Sequence, residues 1–137
     1  KYYKPELPLN LTKYLLKFAN SSIDISDGLI DDLAKMINRQ SLSFHLFENK
    51  IPVSNKLSNL IKKQRLNKIN LISNGDDYQV LFTADVNKAR IIQNASKTTG
   101  IKITKIGKIV SGKDRSLIFD EKGKQIQAKS KGYIHQF

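Results

Sequence analysis

Four carboxylates, a hydroxyl and a glycine are gathered within the stretch SSIDISDGLIDD, residues 21–32: Asp24, Ser26, Asp27, Gly28, Asp31 and Asp32. Asp24 sits between Ile23 and Ile25, in what reads as the end of a strand, and a side-chain period of two puts it on the same face as Ser26. Asp27 falls in the turn that follows, where Gly28 gives the backbone room. Two carboxylates and a hydroxyl at the carboxyl end of a strand suit Mg2+, a hard cation that takes oxygen ligands. The backbone N–H groups beginning at Gly28 suit a phosphate. A plainer reading stands beside this one. Ser and Asp cap helices, and acidic residues favour a helix's first turn. That accounts for Ser26, Asp27, Asp31 and Asp32, and leaves Asp24 unexplained.

A second acidic turn is NGDDYQ, residues 74–79. Asn-Gly closes hairpins, here between the apolar pieces INLI and YQVLFT. Asp76 and Asp77 exceed what a turn requires, and can bind metal, position water or solubilise the loop. Two such turns, each set against a strand, can meet across one sheet edge, where α/β folds place ligands. His45 lies in an alternating segment on the face opposite Leu42, Phe44 and Leu46, which suits a surface or half-buried side chain better than a catalytic one. His135, beside Tyr133 and Phe137, can wall a ligand or anchor the terminus. The sequence holds no HExxH, Gly-x-Ser-x-Gly, Walker A or GxGxxG motif.

The elements that must position these residues follow from periodicity. Residues 1–10, polar and punctuated by proline, read as a linker or entry arm, and 11–137 as one domain. Asn10 is placed to cap a short helix with Leu11, Tyr14, Leu15 and Phe18 on one face. SSIDI reads as a strand, 28–38 as a helix striped by Leu29, Leu33, Met36 and Ile37, and SLSFHLF as a half-buried strand. A polar helix follows over SNKLSNLIKKQRL, then the two strand pieces INLI and YQVLFT. Asp85 is placed to cap a helix that runs to Thr98 and ends at Gly100. IKITKIGKIV reads as a strand region bent at Gly107, and RSLIFD and QIQA as short strands separated by the turns SGKD and EKGK. The sum is an α/β (α+β) domain with a mixed, mostly antiparallel sheet and helices on one face.

Composition narrows the function classes. The chain has 137 residues, enough for a real core. It has no cysteine, which excludes disulfides and cysteine-based zinc or nucleophile chemistry. No apolar run approaches the ~20 residues that cross a bilayer, and the first residues lack the apolar core of a signal peptide, so a cytoplasmic location is expected. The net charge of +12 attracts polyanions, phosphorylated ligands and nucleic acid among them. The lysines are scattered rather than striped, and aromatics do not interleave with them as a single-strand-binding surface requires.

Three segments together resemble the C-terminal domain of the thiamine-monophosphate kinase family, within the wider class of aminoimidazole-ribonucleotide-synthetase-like enzymes. IDISDGLIDDLAKM is similar to that family's Asp-x-Ser-Asp-Gly-Leu segment and the helix after it. SNGDDYQVLFT is similar to its Gly-Gly-Glu-Asp-Tyr-Glu segment and the following strand, with Asn74, Asp76 and Gln79 in place of Gly, Glu and Glu. KGYIHQF is similar to the closing Gly-Tyr-x-His-Phe, with Ile134 where Asp is common, Gln136 inserted and Ser130 where an aromatic ring often stands. YYKPELPL matches the handover from the family's N-terminal domain.

The resemblance implies direct transfer of the γ-phosphoryl of ATP onto thiamine monophosphate, assisted by Mg2+, with thiamine diphosphate as product. It implies Asp27 and Asp24 as metal contacts, Asp27 and Asp77 as catalytic residues, and Ser26, Gly28 and Gly75 at the nucleotide. Asp76, Tyr78, Gly132, Tyr133 and His135 would lie at the substrate. It further implies a partner N-terminal domain, a homodimer for the full-length protein, inactivity of this chain alone, and no specific nucleic acid or membrane partner. A related phosphoryl-transfer enzyme with another substrate, and a basic nucleic-acid-binding or structural domain, are the competing readings.

Overall fold

The computed structural model describes residues 9–37, 40–64, 66–72 and 79–127. The chain opens with α1 (Leu9–Phe18), which starts one residue before the expected cap. Its apolar face is the one the spacing gives: Leu11 and Phe18 are buried, whereas Leu16, off that face, is 90% exposed. The chain turns directly into β1 (Ala19–Asp24), and α2 (Leu29–Ile37) follows a short turn. β2 (Leu42–Phe47) leads through a single 3-10 turn at Glu48–Lys50 to α3 (Asn55–Gln64). Ser54 Oγ accepts the Leu57 N–H at 3.2 Å and caps that helix.

The next element corrects the sequence reading. INLI, expected as a strand, lies in a five-residue helix, α4 (Lys68–Ile72). Asn67 Oδ1 accepts the Ile69 N–H at 3.0 Å, and Ile69 is fully buried. Lys68 Nζ donates to the carbonyls of Glu48 and Ile51, at 2.7 Å each. INLI and YQVLFT are thus not paired as a hairpin, and β3 (Val80–Ala84) pairs instead with β1.

A 3-10 turn at Val86–Lys88 then leads into α5 (Ala89–Thr99), which Gly100 ends in a left-handed conformation, φ 69°. Asp85 precedes that turn without a side-chain capping bond, and its Oδ1 accepts from Asn20 Nδ2 at 3.2 Å. The strand expected from residue 101 begins only at Gly107, as β4 (Gly107–Ser111). β5 (Leu117–Phe119) and β6 (Gln125–Ile126) complete the described elements.

The described strands form two sheets. β1 and β3 make an antiparallel pair, with Asp24 opposite Val80 and Ser21 opposite Thr83. The other sheet has the order β4-β2-β5-β6, with β2 parallel to β5 and the other pairs antiparallel. The sheet is therefore mixed and mostly antiparallel, as expected. β4 and β5 are not a hairpin, because the chain between them crosses β2. Ser43 Oγ secures that crossing: it donates to Gly112 O at 2.6 Å and accepts the Arg115 N–H at 3.0 Å. Ser43 is thus buried without an unmet polar group.

Two apolar clusters hold these elements. The larger joins Ile25, Leu29, Leu33 and Ile37 to Phe44, Leu46, Ile51, Ile69, Leu81 and Ile118. The smaller joins Leu11, Phe18 and Ala95, with Phe82 and Ile92 packed against it. Successive residues of β3 point to opposite faces, so Leu81 enters the first cluster and Phe82 the second.

Candidate functional site

β1 delivers its last residue, Asp24, to the end of the two-stranded sheet where β3 begins. The Ile25 N–H continues the pairing by donating to Gln79 O at 2.9 Å. Ser26, Asp27 and Gly28 then reverse the chain into α2. Ile25 and Leu29, both buried, anchor the two sides of this turn in the larger cluster. Gly28 sits at φ 122°, a conformation that side chains with a Cβ rarely adopt.

The turn is organised by Asp32, which the sequence offers only as a first-turn acid of the helix. The buried stripe of α2 is Leu29, Leu33 and Ile37, and Asp32 lies on that same side, 1% exposed. A carboxylate there must find hydrogen-bond partners. Its Oδ2 accepts three successive backbone N–H groups: Ser26 at 2.8 Å, Asp27 at 2.9 Å and Gly28 at 3.3 Å. Its Oδ1 accepts from Lys35 Nζ at 3.0 Å, and the same ammonium pairs with Asp27 Oδ2. Among the described residues, both ion pairs fall on Lys35.

The charges follow from these contacts. Burial pushes the Asp32 carboxyl up. The Lys35 ammonium and the Ser26 and Asp27 N–H groups outweigh it, and hold the carboxyl below its ordinary value. Asp27 and Asp32 together raise the Lys35 amine. Three successive N–H groups form a concavity that receives anions, and here its occupant is Asp32. The Gly28 N–H, expected to face a phosphate, donates here to Asp32, as do those of Ser26 and Asp27. What the turn presents outward is the Ser26 side chain, which is exposed, and the Asp27 carboxylate, 32% exposed.

Asp24 is exposed on the outer face of β1, and Asp31 is half-buried in the first turn of α2. Among the described residues no three His, Asp or Glu side chains stand together as a metal-binding group. Asp24 and Asp27 are therefore joined there by no third such ligand. His45 is half-buried against Phe119, their ring centroids 5.5 Å apart, as a packing side chain would be. Gly75, Asp76, Asp77 and Tyr78, and Gly132, Tyr133 and His135, lie outside the described residues. Of the second motif only its last residue, Gln79, is described, and its carbonyl accepts the Ile25 N–H at the mouth of the first turn.

No family model matches the sequence. Among curated proteins, the thiamine-monophosphate kinase of Buchnera aphidicola subsp. Acyrthosiphon pisum is 36% identical over 125 residues, 88% of this chain and 37% of the relative. The one from Caulobacter vibrioides is 26% identical over 138 residues, 98% of this chain and 39% of the relative. Among solved structures, thiamine-monophosphate kinase from Stenotrophomonas maltophilia K279a matches 89% of this chain with a TM-score of 0.70 and 25% identity. A structure described as AaThiL complexed with AMPPCP and TMP matches 96% of this chain with a TM-score of 0.70 and 29% identity. These two matches cover 37% and 38% of the solved chains. The chain thus spans about two fifths of the length of these relatives.

Proposed function

We propose, from the premise that this chain is a relative of the thiamine-monophosphate kinases along nearly its whole length, that it is the C-terminal domain of an enzyme transferring the γ-phosphoryl group of ATP to thiamine monophosphate. The observation that carries the reading is the Ile25–Gln79 hydrogen bond beside the Asp24–Val80 pair. It ties the end of the first acidic motif to Gln79, the last residue of the second, at one edge of the β1–β3 sheet. The match to a structure holding AMPPCP, a non-hydrolysable ATP analogue, supports nucleotide as one substrate.

Phosphoryl transfer asks mainly for positioning and for charge neutralisation, and needs no protein nucleophile. The turn meets those demands. Asp27 and Asp24 are hard oxygen donors suited to Mg2+, and Asp27 already attracts a cation in Lys35. When bound, Mg2+ would neutralise the negative charge of the phosphates. Ser26 Oγ is free of the clasp that holds its backbone, and can donate to a phosphate oxygen. Asp77 is assigned the catalytic role on the opposite side, with Gly75 at the nucleotide and Asp76 and Tyr78 at the substrate. Gly132, Tyr133 and His135 are assigned to the thiamine-phosphate pocket. The rest of the site comes from an N-terminal domain of the same protein, in a homodimer. No described helix is long and apolar enough to cross a membrane, and a cytoplasmic location is proposed.

The test is an assay of the full-length protein with ATP, Mg2+ and thiamine monophosphate, following thiamine diphosphate by chromatography. Turnover is expected, and is expected to be lost in Asp27→Ala. Equal turnover by the 137-residue chain alone would refute the shared-site reading, because half the ligands cannot neutralise the phosphates. No turnover with thiamine monophosphate, but turnover with another phosphate acceptor, would replace the substrate.

A further inference from the structure

Asp32 and Lys35 carry none of the roles assigned above, yet among the described residues the side-chain contacts that shape the Ser26–Gly28 turn all pass through them. We propose that they form a clasp that readies this turn for a phosphate-bound divalent cation, a role that rests on the kinase reading of the turn. Asp32 positions the backbone. Lys35 stands in as the cation on Asp27 until a divalent ion displaces it.

The two halves of the clasp do different physical work. One oxygen of Asp32 gathers the N–H groups of Ser26, Asp27 and Gly28, and so fixes the backbone from which the Ser26 hydroxyl and the Asp27 carboxylate extend. That oxygen belongs to a side chain 1% exposed, so water cannot replace it, and the template is rigid. Lys35 is different. Its side chain is 49% exposed, so it can leave Asp27 for solvent at small cost. An ammonium and a divalent ion compete for the same carboxylate, and the doubly charged ion is drawn more strongly to it. Lys35 keeps Asp27 neutralised and oriented beforehand, and its departure toward Asp32 Oδ1 or solvent leaves the backbone template intact. Asp32 and Lys35 are positioning residues: neither touches a reacting atom.

The roles predict effects of opposite sign, which a merely structural clasp would not produce. In the full-length protein with AMPPCP, Mn2+ serves as the probe, and its free concentration is read by electron paramagnetic resonance. Asp32→Asn is expected to keep the fold by circular dichroism, to weaken Mn2+ binding about tenfold, in the range for partners that orient metal ligands, and to move the amide proton resonances of residues 26–28. Lys35→Met is expected to tighten Mn2+ binding about fivefold and to leave the Ser26 and Gly28 amide resonances in place. Mn2+ binding unchanged in a folded Asp32→Asn protein overturns the proposal. So does unchanged or weaker binding in Lys35→Met, which decides alone if Asp32→Asn does not fold. Failure of the unsubstituted protein to bind Mn2+ with AMPPCP overturns the kinase reading, and this role with it. Binding that ignores both substitutions overturns the role only.

Discussion

At the scale of single residues, the stability of the turn rests on Asp32 rather than on the ion pairs around it. Asp32→Ala strands three N–H donors beside a buried site, and is expected to cost about 3–5 kcal/mol. Lys35→Ala removes only a half-exposed partner, and is expected to cost less than about 1 kcal/mol. Urea denaturation of both variants measures the contrast, and equal losses would place the stability in the ion pairs instead. Gly28→Ala forces a Cβ into φ 122°, and is expected to cost about 1–2 kcal/mol in the same experiment. Much of this was legible beforehand. The need for a glycine at 28 and the facing of Asp24 follow from type and spacing. Asp32 was legible too, as an acid set on the buried side of an otherwise apolar stripe. An acid in a helix's first turn is equally what the helix dipole favours, so type and position alone do not single Asp32 out. Which oxygen meets which N–H is a matter of the closed turn, and no spacing rule contains it.

At the scale of elements, α4 shows where pattern runs out. INLI is too short for a period of two to be told from a helical one, and its apolar residues fit either. The choice was made by partners distant in sequence: Lys68 reaches back to the carbonyls of Glu48 and Ile51, and Ile69 fills the larger cluster. The exchange of β4 and β5 across β2 is likewise non-local, since Ser43 and the 112–115 crossing lie about seventy residues apart in the chain. The helices α1, α2 and α5 and the β1, β2 and β3 segments were legible, because each carries apolar residues into a cluster. The Lys68 contact carries a pH signature. Burial lowers its amine below the ordinary value of 10.5, with Glu48 pulling the other way. Between that lowered value and 10.5 the unfolded chain binds more protons than the folded one, so this group's contribution to stability rises with pH. Below the window the cost of burying the ammonium is felt in full. Lys68→Met removes the dependence. The stability of the unsubstituted protein, minus that of the variant, is therefore expected to grow as pH is raised toward 10.5. A difference that shrinks with pH in denaturation curves would mean that the carbonyls hold the ammonium more tightly than burial expels it.

At the scale of the whole molecule, the site sits on the strand pair that the two apolar clusters share. Leu81 and Phe82, neighbours in β3, are packed into different clusters, and Ile23 of β1 and Ile25 just after it lie on the larger one. Phe18 meets Phe82 with ring centroids 5.2 Å apart, so the smaller cluster presses on β3 directly. Loss of the smaller cluster should therefore release the strand that the larger one needs. Phe18 is 2% exposed, and Phe18→Ala is expected to cost about 3–5 kcal/mol, a large share of the roughly 5–15 kcal/mol that holds a domain of this size. Hydrogen exchange under native conditions separates the two possible responses. If β3 couples the clusters, amides of Leu46 and Ile92, which report on the larger and smaller clusters, lose protection by similar factors in the variant. If the clusters open independently, Ile92 alone loses protection while Leu46 keeps its own. The coupled outcome has a functional consequence. The Ile25–Gln79 bond that tethers the two acidic motifs is the last rung of the β1–β3 pair, so a substitution at Phe18, far from any proposed ligand, would weaken Mn2+ binding in the same variant.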